Sequence, residues 1–391
     1  MTEEIIGFEV FTLDLPFRHT FKHAAKQRRS SESLVLKCFT SSRGIGFGET
    51  LPRTYVTGES LEDTYGFLAD LILPHLVGLK FSKLDEVIGF LEECDGEPPP
   101  HRADIQQVRT AAWCAVDLAL LDAFSKAFAE QIALNTGLDV PGSLRYSAVV
   151  SGGTGWSSLK TLVKVRTYGF KHVKLKVDRA NHLKPVRLAR RILGRACDIR
   201  IDANMDWTLE MARRIIPELT TLGVRSFEQP LPRGDLNGAA RLVKETGSTI
   251  MADESFNNCS SLKTLINRHA CNAVNVRLSK CGGLIASLAR CKQAEKAGIE
   301  VQVGCQVGET SLLSAAQLTL LAAYHKVRYV EGAFGKLLLQ HDPCYPVLQF
   351  GYGGRPPARP SGYGFGIELN TDYLKEVATH YVRIGDTSPG R

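Results

Sequence analysis

The chain has 391 residues and a formal net charge of +7, from 48 basic and 41 acidic residues, with 44% hydrophobic and 23% charged residues. That is the composition of a globular protein long enough for two or three domains with full cores. The basic residues are scattered and form no Lys/Arg run interleaved with aromatics, which argues against nucleic-acid binding. No segment approaches the roughly 18 consecutive apolar residues of a membrane helix. The ten cysteines lie far apart without a CxxC pair, which suits reduced thiols and a cytoplasmic setting.

Residues 1–60 read as strands and exposed loops: "IIGFEVFTLDL", "SLVLKCF" and a turn at "SSRGIGFGE". Helical spacing follows around 60–76 and 82–94, and "DGEPPP" interrupts it. From about 104, "DIQQVRTAAWCAVDLALLDAFSKAF" has apolar residues every three or four positions, which predicts a buried helix. Residues 1–128 are therefore expected to form an α+β domain. Eight strand-like runs come next, ending at "SAVV", "VKLKV", "IRID", "FE", "IMAD", "AVNVRLSK", "VQVG" and "YVE", with helical segments such as "LIASLARCKQAEKAG" between them. Eight such units without a GxGxxG turn predict a (β/α)8-type barrel over 129–345. The Gly/Pro-rich stretch "GYGGRPPARPSGYGFGIELN" and an amphipathic segment around 371–381 are expected to return to the first domain, within a C-terminal piece of 346–391 whose polar end is expected to be disordered.

Reactive groups of such a barrel sit at the C-terminal ends of its strands. There the sequence supplies Lys176, Asp202, Glu228, Asp253 and Lys280, each 25 to 27 residues from the next. Three acids on adjacent strands would repel one another unless a cation joined them, and an all-oxygen donor set favours Mg2+, with Mn2+ as a substitute. Strands two and six lie opposite in an eight-stranded barrel, so Lys176 and Lys280 are expected to face each other across the mouth. In "HVKLKVD" the alternation puts Lys174 on the same side as Lys176 but deeper, either as counter-ion to a barrel acid or as a cation favouring proton release by its neighbour. Asn204 and Glu254, next to the acids in sequence, read as groups that orient them.

The stretches "VKLKVD", "IRIDANMDW", "FEQPL", "MADES" and "VNVRLSKCGG", in this order and spacing, resemble the enolase superfamily, in particular its muconate-lactonizing-enzyme subgroup. The resemblance implies an enolase-like barrel under an α+β capping domain. It also implies a Mg2+ ion on Asp202, Glu228 and Asp253, and Lys176 and Lys280 as acid and base in removing the α-proton of a carboxylate. A Lys or His base working with Mg2+ is the established pattern of that superfamily, so this mechanism comes with the resemblance. A lysine on each face would invert a stereocentre, so the expected activity is racemisation or epimerisation of a small carboxylate such as an N-acyl amino acid. A cycloisomerase or dehydratase is the alternative, and a non-catalytic barrel the third reading. After the eighth strand "VEGAFG" keeps a single carboxylate, Glu331, where dipeptide epimerases carry two. Glu331, Glu309 and the capping-loop residues His19, Lys22 and Tyr55 are the candidate substrate contacts. A homo-oligomer is expected from the resemblance alone.

Overall fold

The computed structural model describes residues 2–23, 26–42, 44–98, 109–134 and 139–387, with backbone alone at 21–23 and 26–27. Strands Glu3–His23, Lys26–Thr40 and Ile45–Thr50 pair antiparallel. The stretch read from sequence as a loop at 16–29 is thus the far end of a long hairpin, with Phe21 paired to Arg28 and His23 to Lys26. Loop composition misleads here because an antiparallel ribbon can carry charged residues without losing its backbone ladder.

Helix Thr110–Phe128 lies against this sheet and is buried from Thr110 through Ser125. Two glycines permit the approach. A Cβ on Gly46 would lie 2.1 Å from the Ala123 nitrogen, and one on Gly48 would lie 1.9 Å from the Ala115 oxygen. A helix buried on all sides is apolar all round, and its two acids, Asp117 and Asp122, are placed to serve other elements. Asp117 accepts from the Leu284 and Ile285 amides at the start of helix Leu284–Lys296, at 2.6 and 3.3 Å. In the same way Glu59 receives the Ala111 and Ala112 amides at 2.8 and 2.9 Å, and Glu49 receives the Thr310 amide at 3.0 Å. Carboxylates at helix N-termini satisfy orphan amides and complement the dipole, and Asp117 and Glu49 thereby tie the first domain to the second.

Burial pushes Glu49, Glu59 and Asp117 up to about 7 each. A raised carboxyl holds its proton more tightly folded than unfolded, so its contribution to stability is complete below the ordinary carboxylate range and is lost as pH rises through about 7. The melting temperature is expected to be lower at about pH 8.5 than at about pH 6, and a scanning-calorimetry pH series would check it.

Eight parallel strands, Ala148–Ser151, His172–Lys176, Asp198–Asp202, Ser226–Glu228, Thr249–Ala252, Ala273–Val276, Glu300–Val303 and Val327–Val330, pair in chain order. A parallel bridge between Tyr146 and Val330, with the Ser147 amide donating to the Val330 carbonyl at 2.7 Å, brings the first and last strands together. The expected barrel is therefore present. The sixth strand ends at Val276, four residues earlier than the sequence suggested, and Leu278–Cys281 forms a short helical turn instead. The amphipathic segment around 371–381 is a helix at Thr371–Val377 that runs into a strand, Ala378–Gly385, paired with the first strand. Its alternating exposed and half-buried residues mark an edge strand rather than a helix face. Before it, Phe350 packs against Tyr146, Phe170 and Phe334 beside the barrel. Residues 388–391, which fall in the expected disordered end, lie outside the described residues, as does the predicted start of the long helix at 104. Among the described residues no helix is long and apolar enough to cross a membrane, and all ten cysteines are free.

Candidate active site

Strand register fixes the heights of the inward-facing groups. Lys174 pairs with Arg200, Lys176 with Asp202, and Asp202 with Glu228, while Glu228 pairs with Met251, so that Asp253 lies two residues further out. Alternate residues share a face, so each strand offers a deep and a shallow group: Lys174 below Lys176, Arg200 below Asp202, Asn275 below Arg277.

The deep layer is a closed network. The Lys174 ammonium lies 2.7 Å from Glu331, 3.3 Å from Glu228 and 3.6 Å from Asp202. Burial acts to lower its pKa, but Glu228, Glu331 and Asp202 prevail and hold Lys174 charged. These contacts suit the counter-ion role and leave the second, a cation beneath Lys176, compatible with it. Arg200, wholly buried, pairs with Glu331, donates to Ser147 Oγ at 3.0 Å and lies over the Tyr329 ring at 4.4 Å. Glu331 is held low despite burial by Lys174 and Arg200. Its carboxylate is thus committed to the barrel interior, and it corrects the expectation of a substrate contact at the mouth. Glu228 accepts from Asn275 Nδ2 at 2.9 Å and Gln302 Nε2 at 3.2 Å.

The shallow layer carries the chemistry. Lys176 Nζ lies 3.3 Å from Asp202 Oδ2 and donates to Asn204 Oδ1 at 3.3 Å. Asn204 adopts a left-handed φ of 45°, which turns its amide back onto Asp202 Oδ1 at 3.1 Å and its side-chain amide toward Glu254 at 3.5 Å. Asn204 therefore bridges the lysine to Glu254, the orienting arrangement expected of the pair. Burial, then the fields of Asp253 and Asp202, push Glu254 up to about 8, so it is largely a neutral acid at pH 7.

The sixth strand departs from expectation. Lys280 sits on the turn beyond the strand and is fully buried. Its ammonium donates to the Asp253 and Asn275 carbonyls at 2.8 and 2.7 Å and to Asp253 Oδ1 at 2.8 Å, under the Phe256 ring. It braces Asp253 from behind. The group that emerges at the strand end, across the barrel from Lys176, is Arg277, which pairs with Asp253, lies 3.7 Å from Glu228 and donates to Gln306 Oε1 at 3.0 Å. Arg277 was legible in "AVNVRLSK" by alternation from Asn275, but the motif spacing drew attention to Lys280 instead.

The three acids suit a hard divalent cation by donor type, being oxygens only, buried, and on consecutive strands. Their side chains are nonetheless turned toward the protein's own cations, and among the described residues no three acidic, His or Cys groups converge at metal-holding spacing. Asp253 is held low, against burial, by Arg277 and Lys280.

Of the remaining sequence candidates, Glu309 is buried beside the seventh strand, accepts from the Gln306 amide and is pushed by burial up to about 8. Its field reaches Arg277 and Arg53. Arg53, on the capping loop, is buried, and its Nη2 has no hydrogen-bond partner among the described residues; the same holds for Arg277 Nε, Gln306 Nε2 and Glu254 Oε2. Tyr55 is 39% exposed with the Arg28 guanidinium 5.7 Å from its ring centroid, His19 is exposed on the hairpin, and the Lys22 side chain lies outside the described residues.

Residues 158–373 match the family described as enolase C-terminal domain-like. The chain belongs to this family, within the enolase superfamily. It is 25% identical to the N-succinyl-L-Arg/Lys racemase of Bacillus cereus, over 96% of this chain and 98% of that one, and a crystal structure of that racemase superposes with a TM-score of 0.86 over 97% of this chain. It is 27% identical to muconate cycloisomerase 1 of Rhodococcus opacus, over 95% of this chain and 97% of that one. A dipeptide epimerase from Cytophaga hutchinsonii, crystallised with Mg and D-Ala-L-Val, has the same fold at a TM-score of 0.83 and 22% identity, over 98% of this chain and 100% of that one. These relatives of the superfamily are all isomerases.

Proposed function

We propose that this chain is an isomerase that removes the α-proton of a small carboxylate, with Lys176 as the base. The observation carrying this reading is the Lys176 ammonium at the barrel mouth, fixed between Asp202 and Asn204 with its side chain 19% exposed, whereas that of Lys280 is wholly buried. Asp202, Glu228 and Asp253 are the residues that would hold a divalent cation, Mg2+ above all; when bound, it supplies a Lewis acid for the charge that develops on the carboxylate. Asn204 orients Lys176, and Lys174 supplies a permanent positive charge beneath the site. Arg53, Gln306 and Arg277 offer donors to the substrate's anionic groups.

The face opposite Lys176 belongs to Arg277, and a guanidinium remains charged throughout the working pH range. One face of the substrate therefore meets a base and the other a fixed cation. This supports one-sided proton transfer, as in cycloisomerisation or elimination, over inversion by two lysines. The test is incubation in D2O with Mg2+ and N-succinyl-L-arginine, L-Ala-L-Val or muconate. Solvent deuterium at the α-carbon with configuration retained, or a deuterated lactone from muconate, is expected. A D-isomer formed as fast as exchange would refute the one-sided reading. Absence of deuterium from all three would refute α-proton removal itself. Arg277→Lys is expected to introduce the inverted isomer.

A further inference from the structure

Five acids line the barrel interior and its mouth: Asp202, Glu228, Asp253, Glu254 and Glu331. Among the described residues they face as many cations, Lys174, Lys176, Arg200, Arg277 and Lys280, and with Glu254 largely protonated the cations outweigh the charged carboxylates. Four of these cations have further partners besides the three acids. Lys174 and Arg200 lie in the deep layer around Glu331, Lys280 also donates to the Asp253 and Asn275 backbone carbonyls, and Lys176 also donates to Asn204. Arg277 reaches two of the three acids from the strand ends, pairing with Asp253 Oδ2 and standing 3.7 Å from Glu228 Oε1, whereas Lys174 reaches Glu228 and Asp202 from the deep layer.

We infer that Arg277 is the resident cation of the trio. Its guanidinium neutralises Asp253 and Glu228, and a divalent ion binds only by displacing it. The inference rests on reading Asp202, Glu228 and Asp253 as the metal-holding acids. The guanidinium has somewhere to go. Its hold on Gln306 Oε1 at 3.0 Å is independent of the acids, and the neighbouring Glu254 Oε2 is buried without a hydrogen-bond partner among the described residues. A hard ion demands carboxylate lone pairs that Arg277 now occupies, and two cations cannot share one carboxylate oxygen at close range without strong repulsion. Metal affinity is therefore set by a competition within the protein, and the arginine is the competitor.

Mg2+ and Mn2+ binding to the full chain without substrate, measured by isothermal titration calorimetry, tests this. Arg277→Ala and Arg277→Met are each expected to bind either ion about tenfold more tightly or better. Guanidinium chloride at sub-denaturing concentration is expected to bring the Arg277→Ala affinity back toward that of the wild type, while sodium chloride at equal ionic strength does not. Circular dichroism spectra matching the wild type would establish that both variants are folded, and Arg277→Met keeps the stem's packing should alanine fail. Unchanged or weaker binding in the folded variants overturns the inference while leaving the metal site intact. No binding of either ion to any of the three proteins overturns the metal-holding role of the acids, and the inference with it.

Discussion

Lys176→Ala is expected to lower α-proton exchange by about 10²- to 10⁴-fold, the usual contribution of a positioned general base. The residue's stem is short of the core and its ion pair with Asp202 is partly exposed, so the same change should cost about 1 kcal/mol of stability or less. The two measurements together separate chemistry from folding. Exchange followed by NMR in D2O should collapse while the urea midpoint barely moves. Asn204, which holds Lys176 at 3.3 Å, gives the graded companion: Asn204→Ala leaves the amine present but unoriented, and its loss of rate should be smaller. Wild-type exchange in Lys176→Ala would remove this lysine from the mechanism.

Lys174→Met reverses the pattern. This ammonium is 3% exposed and stands within 3.6 Å of three carboxylates. Taking it away leaves Glu228, Glu331 and Asp202 facing one another in a low-dielectric interior with only Arg200 and the rim cations in compensation. Breaking a buried pair of this kind costs about 3–5 kcal/mol. Urea unfolding is expected to show that loss, with the slope of the transition unchanged if the denatured state is unaltered. Because Glu331 is held low mainly by Lys174 and Arg200, the variant should also recover part of its stability as pH falls, when these acids take up protons. Stability equal to that of the wild type at neutral pH would show the deep network to be dispensable.

The difference between these two lysines was visible in "HVKLKVD" only as a difference in depth. Alternation put both on the inner face, and the spacing of Asp202, Glu228 and Asp253 located the acids, because strands recur at nearly constant intervals in a barrel. What spacing does not carry is where a strand stops. The run "AVNVRLSK" has strand-like composition to its end, yet the chain turns at Arg277, and the four-residue helical turn carries Lys280 out of the mouth and behind Asp253. Partners distant in sequence were equally hidden. Arg200 lies two residues before Asp202, as Lys174 does before Lys176, but its pairing with Glu331 depends on strands meeting around the barrel. The hairpin over 16–29 was missed because charges on a ribbon and charges in a loop look alike when neither is buried.

The pairing of Ala378–Gly385 with Gly7–Leu13 makes the first domain's sheet the joint property of two segments that flank the barrel in sequence. During synthesis the barrel strands emerge before the sheet can be finished, and the outer rim of its leading strand is left with unsatisfied amides and carbonyls until residues 378–385 follow. A nascent or clipped chain that stops short of Ala378 carries an open template for strand addition. Docking of residues 378–385 is therefore the step that closes this sheet edge against self-association.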